Sequence, residues 1–268
     1  MSRVEILCTT MNQKNFSLVD KMNIQCNVLF SNQTDTVGYD EKEYADFSAR
    51  MISTQTRGVG KNRNISLAYA EGEILLFADD DMKYVNGYTQ IIESEFERFP
   101  DADVIIFNIT TNDECRKQVK NGRSKRLHGF SRIPYGAPRI AIRKTSWEKS
   151  NVWFTPLFGG GAKYASGEDS IFLWDVRKRG LQIYVSNQTI GEVDMKNSTW
   201  FDGYNEKFFF HKGVYCGGVH PYSHWLWMVY YCLRIKSHIS VLNRMKFFNR
   251  GVHAYMTGKS FDEQRKDK

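Results

Sequence analysis

The chain has 268 residues, 41% hydrophobic and 25% charged, which is enough apolar material for one large domain, or for one domain with a C-terminal appendage. It contains no long Pro, Gly or Ser tract that would suggest disorder, and its five cysteines, an odd number without a CxxC pair, argue against a disulfide framework and a zinc site alike. The net charge is +7, and between Trp225 and Lys268 nine Lys/Arg face three Asp/Glu, so nearly all the excess sits in the tail.

The opening Met1-Ser-Arg-Val-Glu-Ile-Leu-Cys is broken by Glu5 and lacks the apolar core of a secretion signal. A cytoplasmic location is therefore expected, with reduced, partly buried thiols and with Asn-x-Ser/Thr triplets such as Asn64-Ile-Ser66 carrying no glycan. Val4–Thr9 and Asn27–Ser31 read as buried strands, with a crossover helix over Phe16–Met22 between them. The acidic, aromatic and aperiodic stretch Val37–Phe47 reads as a loop, and Met51–Thr54 as a short extended piece. After the turn Arg57-Gly-Val-Gly60, helical spacing runs over Lys61–Ala70 and stops at Glu71-Gly72. Glu73–Ala78 is a compact apolar strand, Tyr88–Phe99 an amphipathic helix before Pro100, and Val104–Asn108 a further strand. This order indicates a parallel α/β sheet, in which ligands gather beyond the carboxyl ends of the strands. Thr9-Thr10, Ser31-Asn32 and Asp79–Asp81 all fall there. Asn112–Pro138 is basic and irregular; Arg139–Arg143 reads as a strand, Ser170–Arg179 as a helix ending at Gly180, and Gln182–Val185 as a late strand. No internal repeat appears.

Three constellations carry chemistry. Asp79-Asp80-Asp81 directly follows a buried strand, where adjacent carboxylates repel one another unless something positive sits with them. Such a triplet can be a solvated turn, but this placement favours Mg²⁺ or Mn²⁺, which bind one or two carboxylates together with substrate phosphates. Arg57, Lys61 and Arg63 crowd Gly58 and Gly60 at a helix start, suited to a phosphate or equally to a solvated basic face. Gly167-Glu168-Asp169, after the Gly-rich Gly159–Ala162, either caps a helix or supplies the carboxylate base that deprotonates a hydroxyl.

In this order and separation, Ile6-Leu-Cys-Thr-Thr-Met-Asn12, Arg57-Gly-Val-Gly-Lys-Asn-Arg-Asn64, Leu75-Leu-Phe-Ala-Asp-Asp-Asp81 and Gly167-Glu-Asp169 resemble the motifs of family 2 glycosyltransferases with a GT-A fold. Phe158-Gly-Gly-Gly-Ala-Lys-Tyr164 and Ser198-Thr-Trp-Phe201 resemble bacterial members that build capsular or O-antigen units. The resemblance implies a mixed, mostly parallel sheet flanked by helices with a helical C-terminal extension. It divides the chain into a catalytic domain over 1–215, with its nucleotide half at 1–111 and its acceptor half at 112–215, followed by an aromatic and basic extension over 216–268. It implies an inverting, metal-dependent transfer of one hexose or N-acetylhexosamine from a UDP-sugar to a glycan or lipid-pyrophosphate-linked saccharide. Asp169 would be the base, with Glu168 assisting. Thr9, Thr10, Asn32, Arg57, Arg63, Asp79 and Asp80 would hold the nucleotide-sugar. Gly160, Gly161, Glu168 and Trp200 would meet the acceptor. Asp79 and Asp81 would hold Mn²⁺ or Mg²⁺, with His211 a further candidate for the metal or the diphosphate. One departure is Ala78, where the family often has Asp, which leaves the register of the triplet open. The Gln-x-x-Arg-Trp motif of processive synthases is absent, which favours transfer of a single sugar.

Three other readings remain: a nucleotidyltransferase, a non-catalytic sugar-nucleotide-binding protein of the same fold, and a basic peripheral-membrane adaptor, which would rest on the tail alone and leave the acidic triplet unexplained. The first wants a Gly-rich phosphate loop with Arg and Lys that Val4–Gln13 lacks, and intact Asp81 and Asp169 speak against the second. Finally, Trp225–Leu233 is nine apolar or aromatic residues in a row followed by Arg234, Lys236, Arg244, Lys246 and Arg250. Nine residues are too few to span a bilayer, so an interfacial helix on an anionic membrane is expected, the alternative being a core helix with a solvated basic face. No nucleic-acid-binding motif accompanies the positive charge.

Overall fold

A computed structural model describes residues 2–111, 120–128, 135–194 and 203–263. The chain forms two compact units, Met1–Pro156 with Glu168–Ser198, and Leu157–Gly167 with Thr199–Lys268.

The first unit is built on one mixed sheet, ten-stranded among the described residues. Strands β1 (Val4–Met11), β2 (Asn27–Gln33), β4 (Ser48–Thr54) and β5 (Ile74–Asp79) pair in parallel in the order β4-β2-β1-β5. Beyond β5 the order continues through β9 (Ile140–Arg143), β7 (Val104–Thr111), β10 (Ile183–Val193) and β6 (Met82–Tyr84), with β7 and β10 again parallel. Their apolar residues alternate between two cores. Ile6, Cys8, Leu76 and Ala78 face one, Leu7, Leu75 and Phe77 the other. Burial on both faces is why β1 and β5 read as continuous apolar runs. Phe77 meets Phe154 and Phe172 edge-on at 5.1 and 5.5 Å, while the latter two stack at 4.1 Å. Burying each such ring contributes roughly 1.5–3 kcal/mol, which fixes the helix carrying Phe172 against the sheet.

The sequence expectations hold for most elements, with informative differences. The crossover helix shortens to α1 (Leu18–Lys21), and α2 begins two residues early (Val59–Ala68). Helix α3 (Tyr88–Arg98) matches its amphipathic spacing. Val37–Phe47 is not wholly a loop, because Gly38–Glu43 forms the edge strand β3, antiparallel to β4. All six of its residues are exposed, so no face had to be apolar and no alternation marks it. The late strand runs on to Val193, since register shifts between Val185 and Gly191 let β10 continue past Ser186-Asn187-Gln188. A two-residue strand, β8 (Lys125–Arg126), completes the sheet alongside β10, and α4 (Lys144–Ser150) follows β9.

The second unit is helical, with α6 (Glu206–Val219), α7 (His224–Arg234) and α8 (Val241–Thr257); α5 (Glu168–Lys178) belongs to the first. The boundary expected after residue 215 falls inside α6, and the Gly-rich segment 157–167 groups with the helices. Helices α6 and α8 touch backbone to backbone: a Cβ on Gly213 would collide with the Phe248 carbonyl, and one on Gly251 with the Phe210 carbonyl. Arg244, buried, donates to the carbonyls of Cys232, Ile235, Ser237 and Ile239, and so satisfies the last turn of α7 without a carboxylate.

Candidate active site

The parallel register sets Thr9 beside Asp79 and, on the other side, beside Ser31, so the polar ends of β1, β2 and β5 meet at one edge of the sheet. Thr9 Oγ1 donates to Asp79 Oδ1 at 2.9 Å and Thr10 Oγ1 to Asp80 Oδ2 at 2.5 Å. The two threonines thus orient the triplet. Asn32 is buried and braces the loop after β1: its side chain donates to the Gln13 carbonyl and to Ser53 Oγ, each at 3.0 Å, and accepts from the Gln13 N–H.

Helix α2 brings Arg63 to this edge. Gly58, at φ 111°, makes the turn that L side chains rarely adopt, and its N–H donates to Gln33 Oε1. Two residues later Gly60 approaches so closely that a Cβ there would fall on the Thr155 carbonyl. Asn64 exchanges hydrogen bonds with the Phe154 backbone, 2.8 Å in each direction. So fixed, α2 turns a polar face inward, with Asn62, Arg63 and Ser66 all buried. Asn62 bonds the Ser31 hydroxyl and the carbonyls of Ser31 and Thr10, a role that no sequence motif marked. The signal available was three inward polar residues within two turns of one helix.

Arg63 joins the triplet to the other carboxylate pair. Its Nη2 donates to Asp79 Oδ1 at 2.9 Å, and its Nη1 to Asp169 Oδ1 at 2.6 Å and Glu168 Oε1 at 3.2 Å. Burial works to lower the guanidinium's pKa, but Asp169, Asp79 and Glu168 together raise it, so it is permanently charged. Asp169 is pushed up to about 7, by burial first, against the pull of Arg63 and with Glu168 and Asp79 adding to the rise; the Ala137 N–H lowers it again. Gly136 lies against Asp169 as well, its Cβ position 3.6 Å from Oδ2. The turn before β9 is therefore part of the site, which the basic, irregular composition of Asn112–Pro138 concealed.

Asp81 is raised to about 6, by burial and then by Asp79 and Asp80, and its Oδ1 is buried without a hydrogen-bond partner. Asp194 lies beside it, donating its N–H to the Asp81 carbonyl at 3.0 Å. An orphaned carboxylate oxygen in a negative surrounding is what a divalent cation would satisfy, and Asp81 with Asp79 would be the residues to hold one. Among the described residues no three His, Cys, Asp or Glu side chains converge to hold a metal by themselves.

A model of "Glycosyl transferase family 2" matches residues 6–154, more than half the chain, and ends at the Phe154 that Asn64 holds. The chain belongs to family 2. No curated protein matches it in sequence. Among solved structures, S. aureus TarS 1-349 superposes with a TM-score of 0.57 at 14% identity, over 96% of this chain and 92% of that one. The complex of the same fragment with UDP-GlcNAc gives 0.56 at 16%, over 97% and 77%. A longer TarS structure gives 0.54 at 16%, with 95% of this chain on 44% of that one. At such identity the likeness shows the fold, a GT-A sheet of the family 2 kind.

Arg57 is half-exposed and bonds Asp35 Oδ1 at 2.5 Å and the Thr34 carbonyl. Gly160 and Gly161 belong to the 157–167 segment of the second unit, and Trp200 lies outside the described residues. His211 is buried; its Nδ1 accepts from the Ala165 N–H at 3.2 Å, and its pKa is lowered to about 4, by burial first and then by Lys207 and Lys212. It is a neutral anchor of the Gly-rich segment. Gly167 closes that segment at φ +127°, against Phe158 and Tyr215. Cys8, Cys26, Cys216 and Cys232 are free and buried, in keeping with inert thiols.

Proposed function

We propose that this protein is an inverting glycosyltransferase that moves one sugar from a UDP-sugar to the hydroxyl of a glycan or lipid-linked saccharide in surface-polysaccharide synthesis. The observation that carries the reading is the buried Arg63, which couples Asp79, at the end of β5, to Asp169, at the start of α5. One guanidinium thereby sets the donor-side carboxylate and the base in a single frame.

Asp169 Oδ1 is held by Arg63, and the carboxylate so oriented takes the proton of the acceptor hydroxyl. The hydroxyl oxygen forms the new bond to the anomeric carbon from the face opposite the leaving group. The bond from that carbon to the β-phosphate oxygen breaks, the electron pair leaves with UDP, and the configuration inverts. Glu168, held by the same guanidinium, adds a second carboxylate beside the acceptor. Asp81 and Asp79 hold the Mn²⁺ or Mg²⁺ that the orphaned Asp81 oxygen suits. The UDP-GlcNAc in the similar TarS complex, together with the sequence resemblance, supports a UDP-linked donor. The test is to incubate the protein with α-linked UDP-sugars and simple saccharide acceptors and to follow the anomeric proton by NMR. A β-linked product is expected; an α-linked product would overturn inversion, and no turnover of any UDP-sugar would overturn the donor class.

A further inference from the structure

Helix α7 has no polar side. Its inward residues, Trp227, Met228, Tyr231 and Cys232, pack with Phe209, Cys216 and Phe248 of the second unit's own core. Amphipathic logic would make the opposite stripe polar. Instead the adjacent Trp225 and Leu226, with Val229 and Leu233 three to four residues further along the same outer side, stand 55%, 52%, 41% and 66% exposed, and Tyr222 just before the helix is almost entirely so. An apolar face of this kind marks a surface that something covers.

Charge says what covers it. From Lys207 to Phe261 the sequence has eight Lys/Arg and not one Asp or Glu. Arg234 and Lys236, where α7 ends, are exposed, as is Lys246 on α8; Leu242, at the start of α8, is 80% exposed beside the turn. A second copy of the chain would bring the same cations to the same face and be repelled. An anionic bilayer surface offers acyl chains for Trp225, Leu226 and Leu233, and phosphates for Arg234 and Lys236. The helix does not span: eleven residues cover about 16 Å of the roughly 30 Å hydrocarbon core, and no described helix is long and apolar enough to cross.

We infer that the outer face of α7, with Arg234 and Lys236 at its end, is a membrane-contact surface that lays this helix in the headgroup region of an anionic bilayer. The surface goes beyond the donor chemistry and stands on separate residues. The full chain is floated with vesicles of phosphatidylcholine alone and of phosphatidylcholine with an equal part of phosphatidylglycerol. Binding is expected on the mixed vesicles, weakening as salt is raised. Trp225→Ser with Leu226→Ser, or Arg234→Gln with Lys236→Gln, is expected to reduce it by roughly tenfold or more. All these side chains are exposed, so the fold, checked by circular dichroism, and UDP affinity, measured in parallel, are expected to stay unchanged; loss of UDP binding in the unsubstituted chain would strike the donor reading and leave this one standing. Three results would overturn it: no binding to the mixed vesicles, equal binding to both kinds, or binding untouched by either pair of substitutions. Concentration-dependent dimerisation abolished by Trp225→Ser would assign the face to a second copy instead.

Discussion

Arg63 and Asp169, separated by 106 residues in the chain, meet at 2.6 Å in a partly buried ion pair whose guanidinium also reaches Asp79. A carboxylate held this way has a fixed orientation, and its charge balance depends on one guanidinium.

Asp169→Asn keeps the size and the contact with Arg63 but cannot take a proton. Transfer should fall by about 10²–10⁴, while nucleotide affinity stays within a factor of about two. Parallel rate and calorimetric measurements check both parts.

The rate should also follow the ionisation of this group. Burial raises Asp169 to about 7, and only the ionised form accepts the acceptor's proton. Below that pH the rate should drop by about tenfold per unit, and above it the profile should flatten. A pH–rate profile of the unsubstituted enzyme with saturating donor shows whether the acid limb lies there.

Removing Arg63 leaves Asp79, Glu168 and Asp169 facing one another without their cation. Arg63→Met should cost about 3–5 kcal/mol of stability, the usual effect of stripping one partner from a buried ion pair. The urea midpoint should fall accordingly, and it should recover in part as the pH is lowered and the three carboxylates take up protons.

Asp81→Asn gives the opposite pattern. It removes a raised carboxylate with one unpartnered buried oxygen, so thermal stability should hold or rise, whereas Mn²⁺-dependent nucleotide binding should be lost. A thermal melt and a titration of the same sample separate the two effects.

Gly251→Ala places a methyl group on the Phe210 carbonyl, where helices α6 and α8 touch. The helices must move apart, at a cost of about 1–3 kcal/mol or more. A lower melting temperature with family 2 chemistry otherwise unaltered is expected.

How far the sequence revealed this site depends on distance along the chain. The strand Glu73–Ala78 and the triplet after it were legible because both-face burial forces a continuous apolar run and its end is abrupt. Edge strand β3 was not, because exposure on every residue removes the pattern that marks a strand. Arg63 read as a phosphate ligand because its sequence neighbours are basic; its partners, Asp79 and Asp169, are brought to it only by the sheet register and by α5. Asn62 and the Gly136-Ala137 turn escaped for the same reason, since their roles lie in contacts across the fold rather than in any local motif.

The central claim is tested most directly by calorimetric titration of the full chain with UDP, GDP, CDP and dTDP, each with Mn²⁺ and with EDTA. The account predicts saturable binding of UDP that needs Mn²⁺ and disappears in Asp81→Asn. Binding of none of the four, or selective binding of another nucleotide with UDP ignored, would contradict it.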